Sequence, residues 1–345
     1  MSYWYHHNTK NISFLALYKL FKEHGLTVPH MLHLHNNDLQ DVDPYDPNLT
    51  SVQKQKIILE CTTNPWYYFR EVARIETMGG GATPTEHFPI NKGTFAILYT
   101  AFNNLNHVVR LPRQHHRELT YGQLLAYLFL FGENGSNVGV INPDTENNAA
   151  VFNRIGEILH NLPDYFNTTH KMVERARQIK NTRLNTGVMT IPIPTSIQKA
   201  DWYGRELFMN VQYYHLADSV KFFEPLFSAS IPAFYRANAM SARYNSNKIR
   251  SIMISSFITD DNSSLHVDHV INGALQWEDS YYMMDLDTLR EILNKESVNN
   301  FVYIEYNFFE LGKDQQWYDD QCRMLNHDQD KINKELLLKR SDSNV

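Results

Sequence analysis

Apolar residues in the first third of the chain recur at helical spacing. Phe14, Leu17, Tyr18 and Phe21 stand at i, i+3, i+4 and i+7, which predicts an amphipathic helix over Ile12 to His24 with Gly25 as its stop. The turn-rich stretch Asp41 to Thr50 carries Pro44 and Pro47, and no helix runs through either. Thr50 or Ser51 then caps a helix through Ile57, Ile58 and Leu59 toward Cys61. Pro65 to Ile75 repeats the pattern, with Trp66, Tyr68, Phe69 and Val72 as core candidates. Met78 to Pro84 is glycine-rich but has no strand before it and no Gly-Lys-Ser after it, so it reads as a connector. Thr94 to Phe102 predicts one more helix.

The texture then changes. Val108–Leu111, Val138–Ile141, Val188–Ile193, Val211–Tyr214 and Ile252–Ser256 are short apolar runs suited to buried strands. Between them lie the helical stretches Gly122–Phe131, Asn147–Leu159 and Pro225–Arg243. Strands alternating with helices predict an α/β fold with a mostly parallel sheet covered on both faces. From Asp285 the order is helix (Leu286–Leu293), strand (Phe301–Tyr306) and helix (Trp317–Leu338), before a polar end at Arg340–Val345.

Composition narrows the class only a little. The 345 residues, 43% of them hydrophobic, suffice for one large or two modest domains. A net charge of −6 argues against a protein coated in positive charge for nonspecific nucleic-acid binding, though not against a local basic groove. Cys61 and Cys322 fit no metal or redox spacing, and a reducing cytosol is expected. The N-terminus lacks a basic region followed by an apolar one, and no apolar run is long enough to span a bilayer; a soluble, intracellular protein without membrane contact is expected.

The candidate chemistry lies in Val108 to Thr120, placed after an apolar run and before a helical pattern, where a phosphate-gripping loop belongs. Such a loop needs glycine so that backbone N–H groups curl round the phosphates, a Lys on the β/γ-phosphates and a Ser or Thr on Mg²⁺. No glycine stands between Gly93 and Gly122; Arg117 occupies the Lys place and Glu118 the hydroxyl place. By motif alone this is an ordinary strand-to-helix loop.

Its surroundings resemble a family. Asp41-Val42-Asp43-Pro44-Tyr45-Asp46-Pro47-Asn48-Leu49-Thr50, followed by Glu60 to Val72, looks like the opening of the large terminase subunit of tailed phages. Phe88–Gly93, Pro112-Arg113-Gln114, Asn161–Tyr165, Gly204-Arg205, Pro232–Phe234, Asn300–Ile304, Leu311–Asp314 and Glu335–Leu338 continue in the family's order over nearly the whole chain. The resemblance implies a RecA-like (ASCE P-loop NTPase-type) core of residues 76–284. It implies a lid subdomain from residues 1–75 and 285–345, and no nuclease domain. The family's activity is ATP-driven DNA packaging.

Against the family's Pro-Arg-Gln-x-Gly-Lys-Ser/Thr, Pro112, Arg113 and Gln114 match, while His116 replaces Gly, Arg117 replaces Lys and Glu118 replaces the hydroxyl. The first change falls where positive φ suits glycine. The second swaps a compact ammonium for a planar fork, and the third sets a carboxylate beside triphosphate. Arg113 corresponds to the family's in-cis arginine finger. At the second motif, where Asp-Glu should hold the Mg²⁺ shell and activate water, the residues are His215 and Leu216, with Asp218 nearby. The third, coupling motif keeps hydroxyls at Ser255 and Ser256 but lacks Pro-Gly.

The expectation is therefore a pseudoenzyme: a terminase-like subunit acting by binding, with no metal site. ATP and Mg²⁺ are retained only if nucleotide binding survives. Expected partners are the phage portal, the small terminase subunit or a full-length large terminase, with double-stranded DNA, in the cytoplasm of the infected bacterial host. The alternatives are an active packaging ATPase using Arg113, Arg117 and Asp218 (or a split motor with a separate nuclease half), and a binding module recruited to another protein or nucleic acid. Elsewhere, His30, His33 and His35, and His266, Asp268 and His269, read as solvated loop groups rather than metal ligands. His115-His116 read as surface residues, and Asp260-Asp261 and Asp319-Asp320 as solvated acids. Lys171, Arg175, Arg177, Lys180 and Arg183 read as a solvated helix face that would suit DNA phosphates or an acidic partner.

Overall fold

A computed structural model describes residues 4–76, 85–142, 147–175, 177–192, 196–199, 202, 211–216, 251–256 and 263–339. The expected connector at Met78–Pro84, the helix at Pro225–Arg243, Asp218, Asp260-Asp261 and the C-terminal end lie outside them.

β1 (Trp4–Tyr5) pairs with β2 (His33–Leu34) on either side of α1 (Ile12–Glu23), which buries Phe14, Leu17 and Phe21 as its spacing predicts. Thr50 and Gln53 close a capping box at the head of α2 (Ser51–Thr63). The next predicted helix is shorter than expected. α3 (Pro65–Tyr67) runs into a π turn at Tyr68–Val72, Ala73 leaves it with extended backbone, and Ile75 lies in β3 (Arg74–Glu76), paired antiparallel with β4 (Thr85–His87). A second capping box, Asn91 with Thr94, starts α4 (Lys92–Phe102).

From there strand and helix alternate. β5 (Asn106–Arg110), α5 (Arg117–Phe131), β6 (Asn137–Asn142) and α6 (Asn147–His160) come first. β7 (Met172–Arg175), β8 (Gln178–Asn181), β9 (Thr186–Pro192), β10 (Val211–Leu216) and β11 (Ile252–Ser256) follow. Next are α7 (Ser263–Asn272), β12 (Leu275–Gln276), α8 (Leu286–Glu296), β13 (Phe301–Glu305), α9 (Gln315–Met324) and α10 (Gln329–Glu335). Nine strands form one sheet in the order β12-β13-β5-β11-β10-β6-β9-β8-β7. Pairing is parallel except for β7 with β8 and β8 with β9. This is the mostly parallel, helix-flanked α/β sheet that the alternating strands and helices predict.

Successive strand residues bury on opposite faces, as the period of two requires. Val109, Val140, Tyr213 and Met253 enter the large cluster with Phe95, Leu124 and Phe129 of α4 and α5. Their neighbours Val108, Ile141, Tyr214, Ile252 and Ile254 pack on the other face with Val267 and Val270 of α7. Burial on both faces explains why these strands read as continuous apolar runs.

Three expectations need correction. Lys171–Arg183 is not a helix but the β7–β8 hairpin, because β8 lies antiparallel along β9 and turns Ile179 and Asn181 inward. Trp317–Leu338 is two helices, broken where Asn326 and His327 adopt left-handed φ of 53° and 55° and Asp328 caps α10. Within 285–345, assigned by sequence to a lid, β13 lies in the central sheet beside β5.

Candidate nucleotide loop

β5 ends at Arg110 on the C-terminal edge of the parallel strands, and Leu111–His116 leads from it into α5. This is the edge at which open α/β sheets bind ligands. Gln114 (φ 63°) and His116 (φ 60°) both take left-handed backbone. His116 stands where the resembled pattern has Gly, so the loop keeps the glycine conformation without glycine, at a cost of about 1–2 kcal/mol.

Arg117, in the lysine place, is only 6% exposed, and its Nη1 donates to the carbonyl of Ser256 at 2.6 Å. Ser256 ends β11, so the guanidinium joins the loop to the neighbouring strand. Burial holds its pKa below the ordinary arginine value, while Tyr213, Glu118 and Tyr121 favour the cation. Arg113 is tied elsewhere. Its amide donates to the Glu335 carbonyl at 3.0 Å and its Nε lies 3.1 Å from Glu335 Oε2, at the end of α10. Gln114, His116 and Glu118 are exposed.

His115 is buried, correcting the surface reading. Its Nδ1 lies 3.1 Å from the Pro112 carbonyl and 2.7 Å from that of Arg113. Carbonyls only accept, so Nδ1 carries the proton. The ring meets Trp317 of α9 edge-on at 5.2 Å. Burial lowers the pKa of His115; the two carbonyls oppose this, and Lys313 adds to it. Partial desolvation of the ring, then Lys313, lowers that of His116.

Sequence reasoning missed two further groups here. Arg110 pairs with Asp268 of α7 at 2.7 Å, so the latter is no solvated loop acid; His269 is exposed on the same helix. Under the loop, Thr100 Oγ1 lies 2.8 Å from His107 Nδ1, and His107 Nε2 lies 2.7 Å from the Tyr121 hydroxyl. Thr100 donates to the Ala96 carbonyl, so His107 Nδ1–H donates to Thr100 and Nε2 accepts from Tyr121. Tyr121 stacks on Tyr213 of β10 at 4.2 Å. No spacing rule links these positions.

His215 and Leu216 close β10, in register with Ser255 and Ser256 of β11. Both serines are buried, and Ser256 meets the loop through its carbonyl. His30, expected in solvent, lies against Phe95 at 5.6 Å, nearly parallel to it, and close to Trp66 and Tyr99. Burial first, then His33, lowers its pKa to about 4. Among the described residues no three His, Cys, Asp or Glu side chains converge as metal ligands, and no helix is long and apolar enough to cross a membrane. The loop residues do not fit an Mg-nucleotide cradle: the cation in the lysine place bonds Ser256, and a carboxylate stands in the hydroxyl place.

No protein-family model matches the sequence, and no curated protein matches it. The fold is similar to solved structures of phage large terminases and of a phage DNA packaging ATPase. For the Thermus phage P74-26 large terminase ATPase domain the identity is 13% and the TM-score 0.47, over 74% of this chain and 95% of that one. For the HK97 bacteriophage large terminase they are 8% and 0.49, over 78% of this chain and 53% of that one. For the N-terminal domain of the bacteriophage phi29 DNA packaging ATPase they are 15% and 0.31, over 53% and 91%. This chain thus spans about half of the HK97 protein.

Proposed function

We propose that this chain is a homologue of the terminase large-subunit ATPase domain that does not hydrolyse ATP and acts as a structural or regulatory subunit of a DNA-packaging assembly. The observation that carries the reading is Arg117: it stands in the place of the phosphate lysine and spends its guanidinium on the Ser256 carbonyl. The segments that match the family's order support it, since Pro112-Arg113-Gln114 opens the loop after β5 and Phe88–Gly93 leads into α4. Its partners would be the portal, the small terminase subunit or a full-length large terminase, with double-stranded DNA, in the cytoplasm of the infected host. Residues 1–75 and 285–345 would form the lid around the core at 76–284, β13 excepted.

The test is phosphate release from Mg-ATP, with and without double-stranded DNA, alongside thermal unfolding with and without Mg-ATP. No release under any condition is expected. Turnover would overturn the reading in favour of an ATPase with unorthodox contacts at Arg113, Arg117 and Asp218. A stabilising shift without turnover would revise only the ligand, to a nucleotide-bound scaffold.

A further inference from the structure

The β7–β8 hairpin forms one edge of the nine-stranded sheet. Its register pairs Val173 with Lys180 and Met172 with Asn181. The Thr182 amide donates to the Lys171 carbonyl at 2.9 Å, which extends the ribbon by one position. Since side chains alternate, Ile179 and Asn181, 1% and 0% exposed, define the inner face. Lys171, Val173, Lys180 and Thr182 then share the outer face, and Arg177 stands in the turn with Arg183 just beyond β8. The single carboxylate of the segment, Glu174, alternates to the other side.

None of Lys171, Arg177, Lys180 and Arg183 makes an ion pair among the described residues. Other cations do: Lys10 meets Asp43, Lys92 meets Asp279, Arg110 meets Asp268 and Arg113 meets Glu335. A chain of net charge −6 thus sets four cations without ion pairs among the described residues along one ribbon, Lys171, Arg177 and Arg183 exposed and Lys180 half-buried.

We propose that the outer face of this hairpin is a docking surface for the phosphate backbone of duplex DNA. The ribbon from Lys171 to the turn is roughly 15 Å long at the rise of a β-strand. Duplex DNA presents roughly nine phosphates over that axial length. The cations stand on a ribbon surface instead of converging, as recognition of one compact anion would require. Contact with the backbone positions a duplex without reading its sequence. The hairpin strands lie five and six strand spacings from β5, roughly 24–29 Å away across the sheet, so it engages DNA independently of the loop. Anion binding is argued from the hairpin alone; the choice of a duplex rests on the packaging reading above.

The experiment is fluorescence anisotropy of a labelled duplex titrated with the full chain over a series of salt concentrations. A triple variant, Lys171→Ala, Lys180→Ala and Arg183→Ala, is compared with the parent, and urea unfolding confirms that it folds. The expected result is weaker binding by about tenfold or more at low salt, with the slope of log K against log salt reduced by about 0.9 for each cation that contacts a phosphate. Glu174→Ala should bind at least as tightly as the parent. Equal affinity and slope in the triple variant would overturn the proposal while leaving the packaging reading standing. A parent chain that ignores duplex but binds an acidic polypeptide through these residues would also overturn it, making the hairpin a protein-docking surface. Phosphate release, measured separately, judges the non-hydrolysing reading in either case.

Discussion

At the scale of single residues, side-chain and backbone contacts hold the loop between β5 and α5. His116 holds a left-handed backbone that a Cβ makes costly, so His116→Gly should be neutral or stabilise by up to about 1 kcal/mol, whereas His116→Val should destabilise by more than about 1 kcal/mol. Urea midpoints decide it, and equal midpoints for the two variants would remove the strain argument. For Arg117→Lys, the shorter ammonium lacks the fork that reaches Ser256 and leaves a buried carbonyl short of its donor. A loss of about 1.5–3 kcal/mol is expected in the same measurement; a loss within error would mean that the contact holds nothing. The positive φ at 116 was legible, because the resembled pattern places Gly there. Burial of His115 was not, because the Trp317 ring that meets it comes from a helix two hundred positions downstream.

At the scale of elements, local signals worked where the local chain supplies the partners. Thr50 with Gln53 and Asn91 with Thr94 cap their helices as the residue types imply, and Thr50→Ala should cost about 1 kcal/mol in urea unfolding. The signals failed where a neighbour imposes the conformation. Lys171–Arg183 has charges compatible with a helix face, yet β9 offers an unpaired edge and draws the segment into a hairpin. The contact between α10 and the loop is a weaker device. Arg113 is 54% exposed on its side chain, so solvent screens its pair with Glu335; Glu335→Ala should cost less than about 1 kcal/mol, since the backbone bond survives. A larger loss would show that α10 holds the loop through more than this pair.

At the scale of the whole molecule, buried titratable groups set the response to acid. Burial depresses the pKa of His107 to about 3 and, with the charge of His33, that of His30 to about 4, both below the ordinary 6.5. In each case the unfolded chain binds the proton first. Stability is therefore whole above pH 6.5 and falls as pH drops toward the folded values, with a slope for His107 of up to about 1.4 kcal/mol per pH unit. Burial works against the charge of Glu71, but the nearby His6 ring, at 3.2 Å, and the Arg70 guanidinium, at 2.7 Å, outweigh it and depress its pKa to about 2. Its contribution is present above the ordinary 4.5 and is lost as pH falls from there toward 2. Urea midpoints should therefore begin to fall near pH 6.5, and His107→Gln should flatten that first decline; a flat profile down to pH 5 would refute the histidine argument. The apolar runs at Val108–Leu111, Val138–Ile141, Val188–Ile193, Val211–Tyr214 and Ile252–Ser256 already announced an α/β sheet, because strands buried on both faces must be apolar throughout. Their order across the sheet, and the joining of Arg117 to Ser256, Arg113 to Glu335 and Arg110 to Asp268, emerged only on folding. Helical and strand periods act over a few residues and are written locally, whereas these partners lie more than a hundred positions apart: parallel pairing of the strand ends brings Ser256 to Arg117, and the placement of α7 and α10 brings Asp268 and Glu335 to Arg110 and Arg113.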